Sequence, residues 1–158
     1  MPLAVNDLAR STCGVYPRSM EERTGYVLDD QIGYVLRRVT QRHLAIFSER
    51  VPQVTTTQWA VLARLAELGP LSQNHLGRMT SMDAATIKGV VDRLARLGCV
   101  ETAADPEDRR RLTVSLTDAG RRLYDDGVAT ALKVSAETLG PLTQAERAQL
   151  MALLLKLV

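Results

Sequence analysis

At 158 residues the chain has room for one domain with extensions, and an apolar content of 46% is enough for a packed core. Phe, Tyr and Trp make up only 4%, while Leu, Val and Ala dominate, a bias toward helices. A net charge of +2 does not announce nucleic-acid binding, so any basic footprint must be local.

Residues 1–27 read as an arm, punctuated by Pro2, Gly14, Pro17 and Gly25, with no apolar stretch of the kind that opens a secretory signal. From Leu28 the apolar residues fall at steps of three and four (Leu28, Ile32, Val35, Leu36, Val39, His43, Ile46, Phe47), which predicts a helix that Pro52 ends. Thr57 is expected to cap a second helix carrying Trp59, Leu62, Leu65 and Leu68, stopped by Gly69-Pro70. Two short helical pieces follow. Ser72 caps the first, Gln73 to Met79. The second starts at Ser81 or Asp83 and runs through Ile87, Val90, Val91 and Leu94 to Gly98. Its first turn is small and polar (Asp83, Ala84, Ala85, Thr86), the pattern of a helix-turn-helix.

After Gly98 the apolar period drops from 3.6 to 2. "CVETAA" and "RLTVSLT" read as two strands of a hairpin turning through Asp105, Pro106, Glu107 and Asp108. A helix-turn-helix followed by a hairpin is a winged helix, so the fold class is mainly α with a small β-hairpin wing (α+β). Thr117 then caps a long helix closed by Gly140-Pro141, and Thr143 with Glu146 forms a capping box opening a last helix with Leu150, Leu153, Leu154 and Leu157 on its apolar side. No apolar run reaches the roughly 18 residues of a membrane span; the C-terminal candidate is interrupted by Lys156.

The wing tip carries "EDRRR". Three adjacent guanidinium groups are hard to bury, so a solvated, salt-bridged loop is one reading. Beside a helix-turn-helix, the other is insertion into a narrow, electronegative minor groove, which suits the planar, weakly hydrated head of arginine. Asp108 can hold Arg110 in one rotamer ahead of insertion.

The order of elements and these motifs resemble the MarR family of bacterial transcription regulators over residues 28–157, outside the arm. The most specific match is Asp108-Arg109-Arg110 followed by "LTVSLTDAG", and "DAATIKGVVDRLARLGCV" resembles the family's recognition helix and its passage into the wing. The resemblance implies one MarR-type domain over 28–158: a winged helix-turn-helix lobe at about 57–116, and dimerisation helices at about 28–50, 117–140 and 143–157. It further implies a homodimer on double-stranded DNA, with recognition helices about 34 Å apart on a pseudo-palindromic operator. By that analogy Ala84, Thr86 and Lys88 face base edges. Ser72, Gln73, Ser81 and Arg93 contact phosphates. Arg110 enters the minor groove, oriented by Asp108, with Arg109 and Arg111 near the backbone. An intramolecular ion pair for Arg93 and an idle solvated lysine for Lys88 are the competing roles.

The family couples DNA binding to small molecules or thiol oxidation. The cysteine of its peroxide-sensing branch falls on Gly33 here. Cys99 reads as a small core residue and Cys13 lies in the arm, and sensing through either is the alternative mechanism. With only His43 and His75 as imidazoles, no metal site is expected, and no cofactor. An organic effector fits best, in a pocket between the first, second and fifth helices. Tyr34, Arg38, His43 and Trp59 would suit a small aromatic carboxylate, the indole stacking and a cation pairing the acid. The expected function is thus a cytoplasmic repressor released by such an acid. No nucleophile elbow, phosphate loop or HExxH supports an enzyme. A winged-helix protein-interaction module without DNA binding is the remaining class.

Overall fold

The computed structural model describes residues 25–104 and 112–158. It forms two compact units, one ending at Val35 and the other spanning Leu36–Val158. The first holds a 3-10 turn over Leu28–Asp30 and the opening turn of helix α1 (Ile32–Arg50), most of which belongs to the second. The predicted continuous helix from Leu28 is therefore broken, and Gln31 marks the break: its Nε2 donates to the Val27 carbonyl and its backbone is extended.

In the second unit, α2 (Thr56–Leu68) is capped by Thr55, not Thr57. Thr55 Oγ1 accepts from Gln58 N–H while the Gln58 side chain accepts from Thr55 N–H, a reciprocal capping box that Thr57 cannot make. Gly69, at φ 78°, ends α2 in a conformation that disfavours a side chain. A two-residue strand β1 (Leu71–Ser72) follows, then α3 (Gln73–Met79), α4 (Ala84–Arg96), β2 (Val100–Ala104), β3 (Leu112–Leu116), α5 (Asp118–Thr138) and α6 (Gln144–Leu154). The sheet is antiparallel in the order β1-β3-β2, with Leu71 opposite Val114 and Val100 opposite Leu116. The predicted hairpin is thus the larger part of a three-stranded sheet.

The core lies in the lobe between α2 and β3: Val61, Leu62, Leu65, Leu76, Ile87, Val90, Val91, Leu94, Val100 and Val114 are buried. Along α4 the buried set is Ile87, Val90, Val91 and Leu94, one helical face, which leaves the opposite face to solvent. Thr117 and Thr143 cap α5 and α6 as predicted, the latter in a capping box with Glu146.

Candidate nucleic-acid interface and effector region

The helix-turn-helix is held by short local bonds. Ser72 Oγ accepts from His75 N–H at 3.3 Å and so starts α3. Thr80 ends it, donating through Oγ1 to the Leu76 carbonyl at 2.7 Å. Ser81 then takes a positive φ of 54°, and Met82 N–H returns to the Gly77 carbonyl at 2.8 Å. A Cβ on Gly77 would sit 3.1 Å from the Met82 carbonyl and 3.2 Å from Ile87, so glycine lets α3 and α4 meet closely.

Asp83 is the cap of α4. Its Oδ1 accepts Thr86 N–H and its Oδ2 accepts the Thr86 hydroxyl, both at 2.8 Å. These bonds from Thr86 hold the Asp83 carboxyl below its ordinary pKa. They also use the one hydroxyl proton of Thr86, leaving it a methyl group and acceptor lone pairs to offer a ligand. Ala84, Ala85, Thr86 and Lys88 are all exposed. Lys88 is not idle: Nζ pairs with Asp92 Oδ2 at 2.6 Å, one turn on, and both side chains are more than half exposed. An exposed pair of this kind is worth about 0.3–0.5 kcal/mol, a hold that a phosphate or base edge can displace. Arg93 makes no ion pair among the described residues. Its guanidinium lies over Gly89, 3.5 Å from where a Cβ would stand. Arg93 is exposed, as is Ser81, while Ser72 and Gln73 are half-buried. The helix thus presents its small, polar first turn, a lysine and an arginine on one open side.

The base of the wing is tied to both neighbouring helices. Thr117 Oγ1 donates to the Gly98 carbonyl at 2.6 Å, Thr117 N–H to the Cys99 carbonyl at 3.1 Å, and Gly120 N–H to Thr117 Oγ1 at 3.1 Å. A Cβ on Gly120 would lie 1.9 Å from the Cys99 carbonyl oxygen, so the "LTDAG" glycine is required for α5 to start against the end of α4. This explains why a helix follows the second strand directly: it anchors the hairpin at its root. Asp108, Arg109, Arg110 and Arg111 lie outside the described residues, as does Cys13.

Cys99 is buried, and burial pushes its thiol up, away from the reactive thiolate. Its sequence role as a core residue stands.

Along α1, α2 and α5 runs a row of rings. His43 and Phe47 are 6.3 Å apart, Phe47 and Trp59 6.3 Å in an edge-on arrangement, and Trp59 and Tyr124 5.3 Å, stacked. A Cβ on Gly127 would fall 2.6 Å from the Trp59 ring, so α5 gives up a side chain to admit the indole. Trp59 therefore stacks on Tyr124, and it lines a cavity of about 230 Å³ with Tyr124, Ala63, Val128 and Leu132. His43 is half-buried, with Nδ1 3.0 Å from Thr138 Oγ1. Thr138 spends its proton on the Val134 carbonyl, so Nδ1 is the donor to Thr138 Oγ1 and Nε2 is not used in this contact. Phe47 bridges His43 and Trp59, and Arg38 is exposed on α1. Tyr34 is half-buried at the start of α1, in the unit that ends at Val35. The sequence reading missed Phe47, Tyr124 and Thr138, which only the packing of α1 and α2 on α5 brings to the row.

A family model described as the MarR family matches residues 53–111. The transcriptional repressor NicR of Pseudomonas putida is 38% identical over 139 residues, 87% of this chain and 88% of its own. The chain belongs to the MarR family. It is a winged helix-turn-helix, DNA-binding transcription regulator, in a family of regulators rather than enzymes. Among solved structures, a probable transcriptional regulator from Pseudomonas aeruginosa is 50% identical with a TM-score of 0.80, covering 84% of this chain and 100% of that one. Bordetella bronchiseptica BpsR, solved to explain how 6-hydroxynicotinic acid regulates its DNA binding, is 37% identical with a TM-score of 0.80 over 84% of this chain and 96% of its own. Among the described residues of this MarR-family chain, no helix is long and apolar enough to cross a membrane.

Proposed function

We propose that this regulator is a homodimeric, cytoplasmic repressor that binds a pseudo-palindromic operator and leaves it when a small aromatic carboxylate binds. The observation that carries the DNA half is the open face of α4: Ala84, Thr86 and Lys88 for base edges, Arg93 and Ser81 for phosphates, above a fully packed lobe. Ser72 and Gln73 at the start of α3 add further phosphate contacts. The wing arginines Arg109, Arg110 and Arg111, with Asp108 orienting Arg110, are assigned on the sequence motif. Thr86 packs its methyl on a thymine methyl or accepts through Oγ1 from a base amino group, since its own proton is held by Asp83.

The effector half is supported by two facts. NicR is named a repressor, and BpsR answers to 6-hydroxynicotinic acid, a flat heteroaromatic acid. In this chain His43, beside the Phe47–Trp59–Tyr124 row, offers an imidazole whose Nε2 is not engaged by Thr138. Arg38 completes the proposed set within this unit, and Tyr34 is assigned on the sequence reading alone. A ligand there touches α1, α2 and α5 at once, and so can favour one spacing of the lobes over another. A typical coupling of about 1–3 kcal/mol would weaken operator binding about 5–150-fold.

The test is a fluorescence-labelled duplex from upstream of the protein's own gene, titrated with protein with and without 6-hydroxynicotinate. Release of DNA and quenching of Trp59 should occur over one concentration range. His43→Ala should need more ligand while binding DNA equally well without it. If hydroxynicotinates, hydroxybenzoates and cinnamates leave both signals unchanged, the effector assignment fails and the DNA assignment stands.

A further inference from the structure

At the corner where α1 turns into α2 lies a second cavity, of about 510 Å³, lined by Leu44, Phe47, Ser48, Val51, Val54 and Gln58 among others. Its size is that of a small-molecule site. Phe47, Val51 and Val54 are buried and make an apolar floor. None of the side chains lining it is charged.

Gln58 is the polar group set into that floor. It is 7% exposed, a rare burial for a glutamine. Its amide orientation is fixed by the capping box: the Thr55 N–H is an obligate donor, so the atom 2.7 Å away is the amide oxygen. The NH2 group therefore points the other way, and among the described residues it donates to nothing. Yet among the described residues no fully buried side-chain polar atom is left unpartnered. The amide nitrogen is then left with accessible surface, and Gln58 lines this cavity. A donor with two protons, held rigidly at the back of an apolar cleft, is half of a hydrogen bond.

We infer that this corner is a binding site for an uncharged, mostly apolar molecule that presents a carbonyl oxygen to Gln58 Nε2. A carboxylate is disfavoured, because it would give up its hydration where no cation repays it. The chemistry is thus distinct from that of the acid proposed near His43, and the inference does not depend on that reading.

The experiment is NMR on the full-length, isotope-labelled protein, titrated with acetophenone and benzamide as neutral probes and with benzoate as their charged counterpart. The neutral probes should give saturable shifts of the Gln58 side-chain amide and the Val51 and Val54 methyls, and benzoate should not. Gln58→Glu keeps the oxygen that caps α2, where the helix N-terminus and the Thr55 N–H offset the cost of its charge, but replaces the donor, so it should weaken the neutral probes about 3–10-fold or more. Ala45→Leu, on the exposed rim of the cavity, should block them independently should Gln58→Glu not fold. Shifts confined to Trp59 and Tyr124, equal binding of benzoate, unchanged affinity in a folded Gln58→Glu, or no saturable shift would each overturn the assignment.

Discussion

The lobe from α2 to β3 and the helices that flank it are built on opposite terms. In the lobe, four residues of α2 and four of α4 are buried, and every strand meets another. In the flanks, α1 buries only Phe47, α5 only Gly120 and Val134, and α6 nothing. Leu132, Leu153, Leu155 and Leu157 are 51–71% exposed. An apolar face of that extent marks a surface awaiting a partner. The lobe is finished as a single chain, whereas the flanks are finished only by something else, for which the proposed homodimer is the economical answer. On the proposed reading the contrast separates two functions: the packed half presents a surface to DNA, and the incomplete half sets the distance between two such surfaces.

The largest expected effect breaks the lobe at its tie to the flank. Gly120→Ala puts a methyl group into the Cys99 carbonyl. It should cost about 3 kcal/mol or more, seen as a drop in the urea midpoint. Leu62→Ala, in the packed half, should cost about 2–5 kcal/mol. A Gly120→Ala protein as stable as the parent would show that the wing root is not clasped as described.

The next effect sharpens the other side. Truncation at Thr143 removes Leu150, Leu153, Leu154 and Leu157, each worth about 1.5–3 kcal/mol if buried in a dimer. Sedimentation should show monomers or aggregates. The gentler pair Leu153→Lys and Leu157→Lys should dissociate the dimer while far-UV circular dichroism of the lobe is kept. A dimer that survives both would place the interface elsewhere.

These regions were unequally legible in the sequence. The α4 face, the hairpin strands β2 and β3 and the caps Thr117 and Thr143 were readable because each is set by neighbours close in sequence. The first cap was misread at Thr57 because three threonines stand in a row, although the T-x-x-Q spacing of Thr55 and Gln58 carried the signal. Strand β1 was invisible: two residues cannot show an alternation, and Leu71 is a strand only because Val114 lies opposite. The effector region was half legible. His43 and Trp59 could be picked as unusual residues, but that Trp59 stacks on Tyr124 and His43 bonds Thr138 depends on α5, far along the chain.

A smaller effect probes the DNA face. Arg93→Ala removes one exposed cation per subunit without touching the core, so it should weaken binding about evenly across sequences and lower the salt slope of a dimer by about 2. Unchanged affinity and slope would remove Arg93 from the contact surface.

The smallest effect is in acid. The carboxyls of Asp83 and Glu146 are both held below their ordinary values by the amides and hydroxyls they cap. Below the usual carboxylate range the unfolded chain binds more protons than the folded one, so this contribution is present at neutral pH and lost as the pH falls through the depressed values. Asp83→Asn should flatten the acid limb of the melting-temperature profile slightly. A steeper acid limb would contradict the cap geometry.

The claim that the lobe is a DNA-binding surface is tested most directly by the salt dependence of its affinity for the upstream duplex. If the dimer neutralises roughly 6–10 phosphates, binding should weaken by about 10³–10⁵ between 50 and 200 mM salt. An affinity that stays flat across that range would contradict the account and point to a protein partner for the exposed face of α4.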